Sequence, residues 1–177
     1  MKYKRLLTAF MTAALITGSI APQAMAANFA DINDVPWDGA KTYINAVADA
    51  GLMVGDYNAQ GQKVFRARDK VSYCETMQLV YSLMKSYTGK AVDSSVVTKY
   101  TTVMSGYKIP SWAYECVAYG LENGIVTISD IPGFINSSGA SVNATRQDVA
   151  IMMGRALKDF ETVNNNATLS FKDASSV

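Results

Sequence analysis

The sequence predicts a mainly helical chain built from two tandem copies of one helix–loop–helix unit. Three observations carry that expectation. Trp37 and Trp112, each shortly after a proline and ahead of an amphipathic run, stand 75 residues apart. The four-residue boxes Ser72-Tyr73-Cys74-Glu75 and Thr145-Arg146-Gln147-Asp148 each open a second amphipathic run, and their closing acids are 73 residues apart. Phe171-Lys172-Asp173 echoes Phe29-Ala30-Asp31 at a distance of 142, or two periods of 71. Self-similarity at a fixed spacing outranks local pattern, because each unit then predicts the next.

Residues 1–26 read as a secretory signal. Lys2, Lys4 and Arg5 precede the apolar run Leu6–Ile20, and Ala24-Met25-Ala26 is a small-x-small cleavage site. The run is shorter than the roughly 20 residues that a membrane-spanning helix needs. Without this segment, 13 Lys and Arg stand against 15 Asp and Glu, a net charge of −2. That balance argues against a nucleic-acid partner or an anionic membrane surface, both of which need a basic stripe. Any anion must be met by a local site.

The first unit spans residues 27–88. Phe29 to Asp34 is a polar loop carrying one aromatic. Pro36 suits a helix entry, and Ala40, Tyr43, Ile44 and Val47 recur on one helical face. Gly51 can end that helix in the left-handed conformation. Asp56 to Gly61 resembles the start of a calcium loop, but Gln60 and Ala67 stand at the fifth and twelfth positions. Without the closing Glu a tight polar turn is the better reading. Ser72-x-x-Glu75 is a capping box, and the helix after it places Met77, Val80, Tyr81 and Met84 on one face. Residues 89–104, rich in Ser, Thr and Val, read as a connector with a short strand or turn.

The second unit spans 105–160. Ala113, Cys116, Val117, Gly120 and Leu121 share a face, and Gly124 follows. Thr145-x-x-Asp148 is a capping box with the shorter acid. Val149, Met152, Met153, Ala156, Leu157 and Phe160 then form an apolar face, on which the methionines are expected to pack in the core. Residues 161–168 read as a polar linker, and 169–177 as the incomplete start of a third unit.

Absence of histidine removes Ser-His-Asp and Cys-His catalysis and the common zinc sites. No pair of carboxylates stands in a context that suggests glycoside hydrolysis. The expectation is a non-enzyme without metal or cofactor. Cys74 and Cys116 are the two cysteines, and a disulfide and two buried free thiols both remain open.

A signal-like segment, Phe-x-Asp, Trp, a helix, Gly with Leu or Ile, and a Thr-Arg-Ala-Glu-like box resemble, as an ordered and repeated set, the S-layer homology domain family. The best match is Ile109 to Val126 with Thr145-Arg146-Gln147-Asp148. Gly51-Leu52-Met53-Val54-Gly55 and Ser72-Tyr73-Cys74-Glu75 match in the first unit. The resemblance implies part of a pseudo-threefold spindle around a three-helix bundle, with grooves that bind secondary cell-wall polysaccharide through a pyruvylated sugar. Such a chain is secreted and held non-covalently at the cell wall and cell surface, with no membrane contact after signal cleavage. The alternatives are the anchoring portion of a truncated wall-active enzyme, and a self-assembling surface-array protein. An incomplete bundle would also expose an apolar face and favour self-association.

On this resemblance the ligand-binding positions are Thr145, Arg146, Asp148, Trp112, Trp37, Asp31 and Glu75. Arg146 is the strongest, because an Arg in the first turn opposes the helix dipole unless an anion is near, and its planar fork suits a carboxylate. Trp37 and Trp112 are expected to anchor the core where each first helix begins, with sugar stacking as the alternative. Both units depart from the pattern. The first box has Tyr73 in the arginine's place, so its groove is expected to be ligand-poor or to use Arg66, Arg68 or Lys70. The second unit lacks the Phe-x-Asp opening and has Ile128 where the second Gly belongs.

Overall fold

The computed structural model describes residues 28–37, 39–158 and 160. The signal segment, the linker at 161–168 and the third-unit start lie outside them. The chain divides into two compact units, Met1–Asp69 and Lys70–Val177. The fold is mainly α, as the repeats predict. Among the described residues there are five α-helices and one two-stranded sheet, and no helix is long and apolar enough to cross a membrane.

In the first unit, helix α1 (Ala40–Asp49) begins three residues after Trp37, behind Gly39 at φ +88°. Its core is small. Phe29, Ala40 and Ile44 are buried, with Ile32, Val35, Ala48, Phe65 and Ala67 against them. Tyr43, which the apolar spacing placed on this face, is 69% exposed, because it stands at the edge of a core with room for only a few side chains. Gly51 at φ +69° ends the helix. Leu52 N–H donates to Val47 O at 2.9 Å and Gly51 N–H to Ala48 O at 2.9 Å, the paired closure of a Schellman motif.

Asp56 to Gly61 forms a hairpin turn between β1 (Asp56–Tyr57) and β2 (Lys63–Val64), paired antiparallel. Asn58 Oδ1 accepts from the N–H groups of Gln60 at 3.0 Å and Gln62 at 2.9 Å. Gly61 N–H closes on Asn58 O at 2.9 Å.

The second unit packs α2 (Tyr73–Thr88), α3 (Ser94–Gly106), α4 (Tyr114–Glu122, entered through a short 3-10 turn) and α5 (Arg146–Leu157). Helix α4 lies against both α2 and α3, and α2 also packs on α5. Met77, Val80, Tyr81 and Met84 of α2 and Cys116, Val117 and Gly120 of α4 are buried as their spacing predicts. Met152 is buried, and Met153 packs on the same core.

The expected connector is instead a helix. Asp93 caps α3 by accepting from Ser95 N–H at 2.7 Å, and Val96, Val97, Tyr100 and Met104 pack on the core. Tertiary packing outweighs the modest helix propensity of its Ser, Thr and Val residues. Cys74 and Cys116 are buried free thiols. Burial pushes them up to about 11 and about 12 respectively.

Similar main-chain closures occur in both units. Helix α4 ends as α1 does, with Ile125 N–H on Gly120 O at 2.8 Å around Gly124 at φ +66°. The Asn58 turn recurs at Asn136, whose Oδ1 accepts from Ala140 N–H at 2.9 Å while Gly139 N–H closes on Asn136 O at 2.9 Å. Phe134 precedes this turn and Phe65 follows its counterpart, so the two aromatics are not equivalent.

Gly55 provides a test of the first unit. It sits at φ +72°, and a Cβ there would come within 2.5 Å of Val64 O and of the Phe29 ring. Gly51 has a similar φ but open space around it. Gly51→Ala should cost about 1–2 kcal/mol from the left-handed backbone alone. Gly55→Ala should cost clearly more, measured as lost amide-exchange protection in α1 and the hairpin.

Candidate functional site

The structure brings the two capping boxes together. Tyr73 N–H donates to Val142 O at 3.0 Å and Ala144 N–H to Val71 O at 2.9 Å, around an antiparallel bridge between Ser72 and Asn143. Each of these segments leads directly into a helix, so α2 and α5 begin side by side. Toward their other ends, Tyr87 in the last turn of α2 meets Phe160, three residues past α5, edge to face at 5.3 Å. The two helices therefore run in the same direction.

Both boxes close as their sequences require. Glu75 N–H donates to Ser72 Oγ at 3.2 Å, and Glu75 Oε2 accepts from Ser72 N–H at 2.8 Å and from its hydroxyl at 2.7 Å. Asp148 N–H donates to Thr145 Oγ1 at 3.2 Å, and Asp148 Oδ2 accepts from Thr145 N–H at 2.9 Å and Oγ1 at 2.6 Å. Asp148 has one more partner. Tyr73 Oη donates to the same Oδ2 at 2.7 Å, and the Tyr73 ring stacks on Phe134 with centroids 5.0 Å apart. The Thr145 and Tyr73 hydrogen bonds hold the Asp148 carboxyl below its ordinary range. Its carboxylate and partial burial push the Tyr73 phenol up to about 12.

An open groove of about 410 Å³ lies at the start of α5, lined by Lys70, Val71, Ala144, Thr145, Arg146, Val149 and Ala150. It sets two cations and an apolar floor beside a helix N-terminus, whose unpaired N–H groups and dipole favour negative charge. Neither Lys70 nor Arg146 has an ion-pair partner among the described residues. The other cation of α5, Arg155, is engaged by Ile125 O at 3.1 Å and by Asp130 at 3.9 Å. The arrangement can hold an anionic group that carries some apolar surface.

The expected site residues are distributed unevenly. Thr145 and Arg146 line the groove, and Asp148 stands behind it as cap. Glu75 caps the neighbouring helix. Trp112 is in the same unit but not among the groove's lining residues. Asp31 and Trp37 belong to the first unit. There Asp31 accepts from Phe65 N–H at 2.8 Å and Arg66 N–H at 2.7 Å, tying the opening loop to the strand end. Desolvation acts to raise its pKa, but these two N–H groups and the Arg66 charge outweigh it, and the net shift is downward.

The expectation of buried tryptophans is overturned: Trp37 is 60% and Trp112 53% exposed. Each precedes its helix on a turn rather than lying on the packed face, and Ala40 and Ala113 take the buried places. Of the alternative cations for the first box, Lys70 reaches the groove. Arg68 pairs with Asp34 at 2.7 Å, and Arg66 lies 3.8 Å from both Asp56 and Asp69. Sequence reasoning missed the bond from Tyr73 to Asp148. The signal was the departure of Tyr73 from the box pattern.

Two titrations follow, with opposite signs. Asp148 is depressed in the fold, so its bonds stabilise above the ordinary aspartate value near 3.9 and fade as pH falls through the lower folded value. Tyr73 is raised, so its contribution is full below about pH 10 and is lost as pH rises toward about 12. Thermal unfolding of Asp148→Asn should lie below wild type at pH 6 and decline less steeply below pH 4. Tyr73→Phe should remove the alkaline loss.

No family model matches the chain, and no solved structure matches it at a significant level. The surface-layer 125 kDa protein of Lysinibacillus sphaericus is 26% identical over 176 residues, which cover 99% of this chain and 13% of that relative. The chain thus spans about an eighth of the length of the curated relative it matches, and its similarity to a surface-layer protein is distant.

Proposed function

We propose that this chain is a cell-surface module that holds an exported protein to the bacterial wall by binding an acidic secondary wall polysaccharide, with no catalysis of its own. The groove carries this reading: Lys70 and Arg146 lie at a helix N-terminus and have no ion-pair partner among the described residues. Three features support it. The ordered repeat resembles S-layer homology domains, the distant relative is a surface-layer protein, and the net charge leaves anion binding to a local site. The ligand on this reading is a sugar bearing a carboxylate, such as a pyruvylated amino sugar. Its charge would meet Arg146 and Lys70, and its apolar face would meet Val71, Val149 and Ala150. Helices α2 and α5 would supply two members of the three-helix bundle that the resemblance implies.

A second reading is a self-assembling array protein that uses these units for attachment. It is favoured by the name of the relative, a surface-layer protein, and by the exposure of Val71, Tyr87, Ile151 and Phe160 on or beside α2 and α5.

Wall sacculi separate the readings. The chain without residues 1–26 should sediment with native sacculi and fail to do so after the polysaccharide is stripped. Equal sedimentation with both would sink the first reading. Arg146→Ala should weaken binding by roughly tenfold, the scale of one charge-assisted hydrogen bond, with thermal unfolding unchanged. Lys70→Ala should weaken it less, since a flexible ammonium is a poorer match to a carboxylate than a guanidinium. Both effects should shrink as salt is raised.

A further inference from the structure

We propose that Tyr73 is a positioning residue for the Arg146 groove, so that the two boxes build one anion site rather than two. The proposal rests on the groove reading above. Tyr73 and Arg146 are each the first residue of their helix, directly after the cap. Arg146 lines the groove, whereas Tyr73 turns away from its own box and toward the other one. Its hydroxyl donates to Asp148 Oδ2 at 2.7 Å, its ring stacks on Phe134, and its N–H donates to Val142 O at 3.0 Å.

The hydroxyl and N–H contacts join the chain segments that carry the two sides of the groove, and the stack on Phe134 fixes the ring. Lys70 and Val71 lie just before α2, while Ala144, Thr145, Arg146, Val149 and Ala150 belong to the start of α5. Tyr73 joins the first turn of α2 to the first turn of α5 and to the segment leading into it, and so sets the separation of the two cations. The same hydrogen bond occupies the carboxylate oxygen that also closes the cap. The Asp148 carboxylate, two residues beyond Arg146, is thereby held in bonds to Tyr73 and Thr145. The acids acting on the phenol are Asp148 and, more weakly, Asp130. The neutral tyrosine thus makes the site from outside it, and the first box has no arginine because its first helical residue serves the second box.

Tyr73→Phe keeps the ring and its stacking and removes only the hydroxyl. Affinity for polysaccharide released from wall sacculi should fall by roughly threefold to tenfold, a part of what one hydrogen bond to a charged group is worth. The carboxyl 13C titration of Asp148 should shift to higher pH in Tyr73→Phe and stay in place in Arg146→Ala, a signature that a general packing role would not produce. Wild-type affinity in Tyr73→Phe would overturn the proposal. So would loss of amide protection in α4, since Tyr73 would then be support for the whole unit. If Arg146→Ala weakens binding and Tyr73→Phe does not, the groove reading stands and this proposal alone falls. If neither variant weakens binding, both fall.

Discussion

The pairing of residues 71–73 with 142–144 is the constraint on which the second unit depends. Two segments some seventy positions apart are closed onto each other, at an entropic cost that grows only slowly with the length of the loop. The buried set of Met77, Val80, Tyr81, Met84, Cys116, Val117 and Met152 offsets that cost. Because the paired segments run directly into α2 and α5, the two helices start together, and the contact of Tyr87 with Phe160 toward their other ends shows that they run the same way. Parallel neighbours place two positive dipole ends side by side, an arrangement that favours negative charge at that end. Glu75 and Asp148, each at the third position of its helix, supply it. The boxes are therefore more than local caps, because they neutralise a field that the pairing creates.

The helices whose packed faces recur at regular spacing were legible in the sequence. Met77, Val80, Tyr81 and Met84 announce α2, and Cys116, Val117 and Gly120 announce α4, because burial and periodicity coincide there. Helix α3 was not legible in the same way. Val97, Tyr100 and Met104 do follow a helical period, but Thr98, Thr101 and Thr102 take most of the positions between them. The side chains of Thr98 and Thr101 return to the carbonyls four residues back, at 2.9 and 2.8 Å. Those hydroxyls make an exposed face that reads as a linker until the core beneath it is known.

The site was half legible for a related reason. Thr145 and Asp148 could be read as a cap, and Arg146 as an oddity on it, because those relations lie within four residues. Lys70 and Tyr73 acquire their roles from contacts across the fold, which no local pattern carries. The tryptophans illustrate the limit of reading burial from side-chain size. The buried cluster of the first unit is Phe29, Ala40 and Ile44, and a cluster that small has no place for an indole on the turn ahead of its helix. Large aromatics dominate small cores when they lie on the packed face, and here the face begins at Ala40.

The divergence between the two boxes has an electrostatic logic of its own. An arginine in the first turn works against the helix dipole, and two of them at adjoining helix starts would add their mutual repulsion to that of the two dipole ends. One arginine and one tyrosine avoid the second penalty. The tyrosine also does what an arginine at its place would not do without adding charge: it donates a neutral hydrogen bond to the acid of the other cap. What remains uncompensated is a single guanidinium at Arg146 with the mobile ammonium of Lys70 beside it. The departure of Tyr73 from the box pattern thus coincides with the contact that joins the two boxes, where an arginine would have added a second charge.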